Sequence, residues 1–274
     1  MRPSVLLWFS FFLLAGCFSK AKEETLDTPT TSKTPNKVAK TLEQDTTRLP
    51  EIPVLCYHGI GPIYKTDSPN KKTYTVTPKA FAEQMKALAD SGYHTILPDA
   101  LYGYLTGKQT LPKNPILITF DDSRAVHFSI AAKEMKRYGF KGVFFVMTVT
   151  LNKPNYLTTA EIKSLSDDGN VIGCHTWDHH MVTKYAGTDW DLQLKKPKAQ
   201  LEHITGKPVR YFAYPFGVWN TTAIDSLKAN GYQLAFILSG KKDKTDSLFT
   251  VRRMIVAGSY NTEAFLKGIQ HTFK

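Results

Sequence analysis

Cysteine is scarce in this chain of 274 residues, which contains only Cys17, Cys56 and Cys174. No two of them have the short CxxC spacing of a cysteine-based zinc site, so the sequence argues against such a site. Cys56 and Cys174 lie within apolar runs, where a buried free thiol is the commoner state, although an oxidising compartment would also permit one disulfide between them. We therefore expect two free thiols in the folded core.

A compact block of lysine and arginine is also missing, although the formal net charge is +11. A basic balance suits an anionic partner such as nucleic acid, a membrane surface or an acidic wall polymer. Because no basic motif of the nucleic-acid type is present, we interpret the charge as a diffuse solvated surface and expect no nucleic-acid partner. The hydrophobic fraction of 42% is ordinary for a globular protein and supplies a sizeable core.

The apolar stretch near the N-terminus is too short to cross a bilayer as a mature helix. It runs from Val5 to Leu14, follows Arg2, and ends in Leu14-Ala15-Gly16-Cys17. This ending resembles a bacterial lipobox, so we interpret residues 1–16 as a lipoprotein signal peptide and Cys17 as the lipid anchor. The alternative is an ordinary signal peptide with a chance cysteine. Both interpretations place the mature domain outside the cytoplasm, and the lipid anchor would hold it in the bacterial cell envelope.

Apolar and aromatic residues are sparse between the signal peptide and the first strand-like run. Residues 18–50 are rich in Thr, Lys, Glu, Asp and Pro, and this composition cannot bury enough surface to offset chain entropy. We therefore predict a flexible, lipid-anchored linker over residues 17–50 and one folded domain over residues 51–274.

Strand-like apolar runs alternate with helix-like segments about seven times along the predicted domain. The predicted strands lie at residues 52–57, 95–97, 116–120, 143–147, 171–174, 209–217 with a turn, 234–238 and 251–256. The predicted helices lie at residues 77–92, 125–138, 158–169, 190–205 and 220–231. Such alternation indicates an α/β fold with a parallel sheet, either a closed barrel or an open doubly wound sheet. Pro197 should break or kink the fourth helix.

Two adjacent carboxylates, Asp121 and Asp122, follow the apolar run at residues 116–120. Successive side chains of a strand point in different directions, so one carboxylate could hold a metal while the other moves protons. Taken alone, the pair is also compatible with an ordinary turn or helix cap, where Asp is favoured.

His175 and His179 follow another predicted strand and are separated by three residues. Two neutral imidazoles and one carboxylate form a metal site with open positions, and Asp122 is the natural third ligand. His180 leaves a one-position ambiguity in this assignment. Since parallel strand ends share one face, we expect these groups to meet there.

Three segments together resemble the first motifs of polysaccharide deacetylases, the NodB-homology domains of carbohydrate esterase family 4. They are Thr119-Phe120-Asp121-Asp122, His175-Thr176-x-x-His179 and Tyr214-Pro215-Phe216-Gly217. Cys56-Tyr57-His58 further resembles the branch of poly-N-acetylglucosamine deacetylases. The resemblance covers residues 51–260. It implies one distorted (β/α)7-type barrel, and a hydrolase that removes N-acetyl groups from a polysaccharide containing N-acetylglucosamine.

The resemblance also implies a role for each motif residue. A divalent metal, zinc first, would be held by three of them: Asp122, His175 and His179. Asp121 would be the general base and His58 the general acid. Arg253 would orient the base, with Arg252 as the competing choice.

Substrate contacts are implied for the aromatic residues in and beside the motifs. The backbone N–H of Phe216 would help to hold the oxyanion, while Tyr214, Trp177 and Trp219 offer faces for sugar stacking. We expect a polysaccharide and, through the lipid anchor, a membrane as partners of a monomeric protein.

The chain departs from the family pattern at three places. Ser123 stands where glycine is usual, Ala213 stands where many members have arginine, and the fourth motif and the C-terminal histidine motif find no convincing match. His58 would have to replace that histidine. These departures keep two other functions open, namely a carbohydrate-binding protein without catalysis and an O-deacetylase or amidase on the same scaffold.

Overall fold

The computed structural model describes residues 49–273. The predicted signal peptide at residues 1–16, the anchor Cys17 and almost all of the predicted linker lie outside the described residues, so these assignments stay predictions. Within the described part of the chain, no helix is both long enough and apolar enough to cross a membrane.

The described residues form ten strands and eight α-helices. The strands are β1 Val54–Tyr57, β2 Gly59–Ile60, β3 Thr75–Val76, β4 His94–Thr95, β5 Pro115–Phe120, β6 Val143–Val146, β7 Val171–Cys174, β8 Tyr211–Ala213, β9 Leu234–Phe236 and β10 Met254–Ile255. The helices are α1 Pro69–Tyr74, α2 Pro78–Asp90, α3 Pro98–Leu105, α4 Lys133–Lys136, α5 Thr159–Asp167, α6 Lys196–Thr205, α7 Thr221–Ala229 and α8 Thr262–Thr272.

Seven of these strands form one parallel sheet in the order β10-β1-β5-β6-β7-β8-β9, and β4 adds to β5. The segment that contains β10 curls this sheet, because Val251 bridges to Phe236 of β9 while Met254 pairs with Leu55 of β1. The prediction of a distorted (β/α)7-type barrel is therefore confirmed, and the open doubly wound alternative is wrong.

The sheet is buried on both faces, which explains why its strands are continuous apolar runs. In β5, Ile116 and Ile118 contribute to the larger hydrophobic cluster, whereas Leu117 contributes to the smaller one. Side chains two positions apart point to the same side. Asp121 therefore continues the side of Leu117 and Thr119, toward the interior of the barrel.

Two predicted helices differ from the structure in their first turns. The segment expected at 125–138 is a π-helix at His127–Ala132 that continues into α4, and α6 follows a π-helix at Asp191–Lys195. Pro197 occupies the first turn of α6, directly after this π-helix. Instead of a break at Pro197, the predicted helix begins with a π-helical segment and continues as an α-helix.

The cysteine prediction is confirmed, because Cys56 and Cys174 are both buried and free. The short elements α1, β2 and β3, together with α3 and α8, were not predicted.

Candidate active site

A cavity of about 680 Å³ lies at the carboxyl ends of the parallel strands. The residues that follow β1, β5, β7 and β8 line one side of it, and the segments at 59–62 and 70–75 line another. The polar residues predicted from strand ends therefore meet in one place, because a parallel sheet presents all these ends on one face.

Asp122, His175 and His179 form a compact set of metal donors in this cavity. The Nε2 atoms of both histidines lie 3.7 Å from Oδ1 of Asp122. Two donors bound tetrahedrally to one zinc ion at about 2.1 Å are about 3.4 Å apart. The separation in the protein is close to this value, so the three side chains fit a divalent metal.

His175 has the hydrogen bonding of a metal ligand. Its Nδ1 lies 2.7 Å from the carbonyl oxygen of Ala213, so Nδ1–H donates to that oxygen. The other ring nitrogen, Nε2, is buried and has no hydrogen-bond partner among the described residues. Because the proton of this imidazole is on Nδ1, where it is hydrogen-bonded to the protein, the lone pair of Nε2 is available to a metal.

His179 reaches Asp122 from a tight turn rather than from a helix. Thr176 and His179 both have positive φ, and the Thr176 hydroxyl accepts the N–H of His179 at 2.9 Å. Burial, together with neighbouring His175, lowers the pKa of His179, which favours the neutral imidazole that a metal needs. His180 is exposed and packs against Tyr185, so of these two histidines it is His179 that lies with Asp122 and His175.

Asp121 forms a buried ion pair with Arg253, and its Oδ2 also lies 3.9 Å from Nε2 of His175. The two terminal guanidinium nitrogens of Arg253 donate to the two carboxylate oxygens of Asp121, at 2.7 Å and 2.8 Å. Arg253 also donates to the carbonyl of Ile237 and to the hydroxyl of Thr119. Arg252 instead pairs with Glu51, so Arg253 is the arginine that orients Asp121.

The charge state of Asp121 results from two opposing effects. Burial raises the pKa of the Asp121 carboxyl group. The Arg253 guanidinium and, to a lesser extent, His175 lower this pKa by a larger amount, so that it lies well below its usual value. Asp121 is therefore ionised and fixed in orientation, as a proton acceptor must be.

His58 lies across the cavity from the donor set, at the end of β1. Its Nε2 is 4.0 Å from Oδ2 of Asp121, and its ring contacts Tyr74 with the centroids 4.9 Å apart. Its backbone carbonyl accepts a hydrogen bond from Nε2–H of His127 at 2.5 Å. Burial lowers the pKa of His58, whereas Asp121 raises it. The imidazole is thus held beside Asp121 by contacts of both its ring and its backbone.

The turn after β5 is strained, since Asp122 has φ 73° and Ser123 has φ 57°. Glycine adopts such angles without the cost that other residues incur. The Ser123 hydroxyl compensates by accepting the N–H of Met147 at 2.7 Å, and the Ser123 carbonyl accepts the N–H of Leu157 at 2.8 Å. Serine at this position therefore has a strained backbone, but it gains a hydrogen bond to Met147, the residue that follows β6.

We expect Ser123→Gly to lower the free energy of unfolding by about 1 kcal/mol, because a buried N–H left unpaired costs more than the relieved strain returns. Ser123→Ala should cost more, since it loses the same hydrogen bond and keeps the strain. Urea denaturation of the three proteins measures both values. A glycine variant more stable than the natural protein would contradict this account.

The predicted aromatic contacts are only partly brought together. Tyr214 and the exposed Phe216 line the cavity, and the Phe216 ring packs on His179 with centroids 4.5 Å apart. Trp177 and Trp219 are half-buried and do not line the cavity. Both tryptophans are close to the motifs in sequence but not in the cavity. Each follows a turn with positive φ, at Thr176 and at Phe216–Gly217.

Other lining residues were not found from the sequence. They are Asn70, Lys71, Tyr74, Arg124 and Asn155. Arg124 follows the two aspartates after one intervening residue, Ser123, and this position next to the motif was the one signal available. The others belong to loops with no motif of their own.

Comparisons with known proteins agree with the resemblance found in the sequence. Residues 108–235 match the family model described as polysaccharide deacetylase. YxkH of Bacillus subtilis is 25% identical over 276 residues, which cover 94% of this chain and 96% of YxkH. The poly-beta-1,6-N-acetyl-D-glucosamine N-deacetylase of Staphylococcus epidermidis is 25% identical over 203 residues, or 68% of this chain and 69% of that protein.

Solved structures share the fold. The Streptococcus pyogenes deacetylase PplD, solved in complex with acetate, superimposes with a TM-score of 0.74 at 24% identity, over 81% of this chain and 99% of PplD. Residues 108–235, which carry the motif-bearing strands, are therefore similar in sequence to polysaccharide deacetylases, and the described domain shares the fold of a solved deacetylase.

Proposed function

We propose that this protein removes N-acetyl groups from a polysaccharide that contains N-acetylglucosamine, with zinc as the first choice of metal. The observation that carries the proposal is the division of the two carboxylates: Asp122 faces His175 and His179, whereas Asp121 is held by Arg253. Hydrolysis of an acetamide needs one group to bind a metal and another to accept a proton. This site supplies both on adjacent residues.

A divalent metal bound by Asp122, His175 and His179 would lower the pKa of water to about 7 and polarise the acetyl carbonyl. Asp121 accepts the proton of the attacking water on its carboxylate, which Arg253 holds ionised and oriented. The backbone N–H of Phe216 supports the developing oxyanion, as a donor aimed at new negative charge does.

His58 supplies the proton that the leaving nitrogen needs, because an amine leaves poorly unless it is protonated. Its Nε2 lies 4.0 Å from Oδ2 of Asp121, on the cavity side of the carboxylate. The proton taken up by Asp121 therefore has a short route to His58 and from there to the nitrogen of the substrate.

We further propose that the reaction takes place in the bacterial cell envelope, where the predicted lipid anchor at Cys17 would hold the domain as a monomer outside the cytoplasm. This proposal rests on the sequence alone. Fractionation of cells that produce the chain tests it, and recovery in the cytosol would contradict it.

His179 and His180 provide a matched test of the metal site. We expect His179→Ala to lower metal affinity by more than 100-fold. Loss of a residue that only hydrogen-bonds to a metal ligand already lowers metal affinity by about 10–100-fold, and loss of the ligand itself should cost more. His180→Ala should leave the affinity unchanged, because this side chain points to solvent and Tyr185. Metal content after dialysis against buffered zinc measures both. Equal metal loss in the two variants would contradict the assignment.

The two other functions are tested with a substrate panel. Acetate release is measured from N-acetylglucosamine oligomers, from acetyl esters of sugars and from small amides. The proposal predicts faster release from the oligomers than from the other compounds. Release from esters alone would indicate an O-deacetylase, and binding of oligomers without any release would indicate a carbohydrate-binding protein.

A further inference from the structure

Arg124 is a cationic side chain in the cavity to which the proposed chemistry assigns no role. It lines the cavity directly after Ser123, and 45% of its side chain is exposed. Its guanidinium lies over the ring of Tyr156, 5.4 Å from the centroid, and 4.0 Å from Oδ2 of Asp122. Within residues 49–273, no acceptor hydrogen-bonds to this side chain, so its donors remain for a ligand.

The position of Arg124 is fixed by its backbone. Arg124 forms an antiparallel bridge to Tyr156, and the N–H of Ala125 donates to the carbonyl of Asn155 at 3.0 Å. On the other side, the Ser123 carbonyl accepts from Leu157. With the ring beneath it, the guanidinium is therefore held before a ligand arrives, and such preorganisation reduces the entropy cost of binding.

The charges around the cavity favour an anion. Asp121 is neutralised by Arg253, Asp122 belongs to the metal donors, and Lys71 is paired with Asp67 at 2.8 Å. The one carboxylate near Arg124 among the described residues is therefore that of Asp122, at 4.0 Å, which is also a metal donor, and a bound divalent metal would add further positive charge. A guanidinium presents its donors in a planar fork that matches a carboxylate.

We propose that Arg124 binds a carboxylate carried by the sugar next to the N-acetylglucosamine that is deacetylated. This inference rests on the proposed function and narrows its substrate to an acidic glycan. It also predicts that a cationic, already deacetylated neighbour is disfavoured, because its ammonium group would face Arg124.

The test compares binding of two tetrasaccharides to the full chain after treatment with a chelator, so that turnover does not enter. One contains alternating N-acetylglucosamine and a lactyl-ether derivative with a free carboxylate, and the other contains N-acetylglucosamine alone. Isothermal titration calorimetry gives both dissociation constants for the natural protein, Arg124→Gln and Arg137→Gln. Arg137 is a control, since it is an exposed arginine paired with Glu134 outside the cavity.

We expect the natural protein and Arg137→Gln to bind the acidic tetrasaccharide at least about tenfold more tightly than the neutral one. Arg124→Gln should remove this difference. Equal affinity of the natural protein for both glycans would overturn the inference, as would a preference that survives in Arg124→Gln. A failure of the proposed function is distinguishable, because it would abolish acetate release from both glycans and leave this binding comparison intact.

Discussion

Asp121→Asn should lower kcat for acetate release by about 10²–10⁴-fold, the range typical of a lost general base. The amide has nearly the shape of the carboxylate but cannot accept the proton of the attacking water. The metal should remain bound, because Asp122 and the two histidines are unchanged and both carboxylate oxygens of Asp121 are hydrogen-bonded to Arg253. Loss of rate with retained metal is therefore the expected signature.

Acetate release and metal content, measured on the same preparation, check this prediction. Asp167→Asn is the matched control, since Asp167 is an exposed aspartate on α5 that pairs with Lys163. It should behave like the natural protein in both measurements. An Asp121→Asn variant with more than about a tenth of the natural rate would show that another group is the base.

Arg253→Met should be the most destabilising of these substitutions. Arg253 is fully buried, and removal of one partner from a buried ion pair typically costs about 3–5 kcal/mol. The loss arises because the Asp121 carboxylate would be left buried without its counterion. Activity should fall as well, since the base loses the group that orients it.

Arg252→Met is a control at the neighbouring position, where the arginine forms a partly exposed pair with Glu51. It should cost about 1 kcal/mol or less. In the double variant Asp121→Asn with Arg253→Met, the loss should be smaller than the sum of the single losses, because no buried charge remains unpaired. Urea denaturation provides all these values, and strict additivity would contradict the ion-pair account.

The same pair predicts a dependence of stability on pH. Arg253 holds the pKa of Asp121 below its unfolded value of about 3.9, so the stabilisation is fully present above about pH 4 and is lost as the pH falls further. In Arg253→Met, burial alone would raise the pKa of Asp121. The difference in stability between the two proteins should therefore narrow as the pH is lowered from 7 toward 4.

Much of the fold was predictable because local signals and tertiary structure agree. The buried parallel strands are continuous apolar runs, and Thr158 with Glu161 forms the capping box that the sequence shows at the start of α5. Asn220 likewise caps α7 with its side chain. The metal donors could be predicted because parallel topology alone brings strand ends together.

The remaining features depend on contacts that no local pattern encodes. No residue pattern marks the two π-helices, and the segment that contains α1 carries no motif that would place it at the cavity. Asp122 and Ser123 adopt positive φ although neither is glycine, so the turn could not be recognised from residue type. The choice of Arg253 over Arg252 also needed the observed geometry, since the two are adjacent in sequence.

The central claim is that the enzyme cleaves an N-acetyl bond with Asp121 as the base. It is tested most directly by counting acetate and free amine together when the metal-loaded protein acts on an N-acetylglucosamine oligomer. We predict equal amounts of both products from the natural protein and a greatly reduced yield of both from Asp121→Asn. Acetate without amine, or equal rates in the two proteins, would contradict the account.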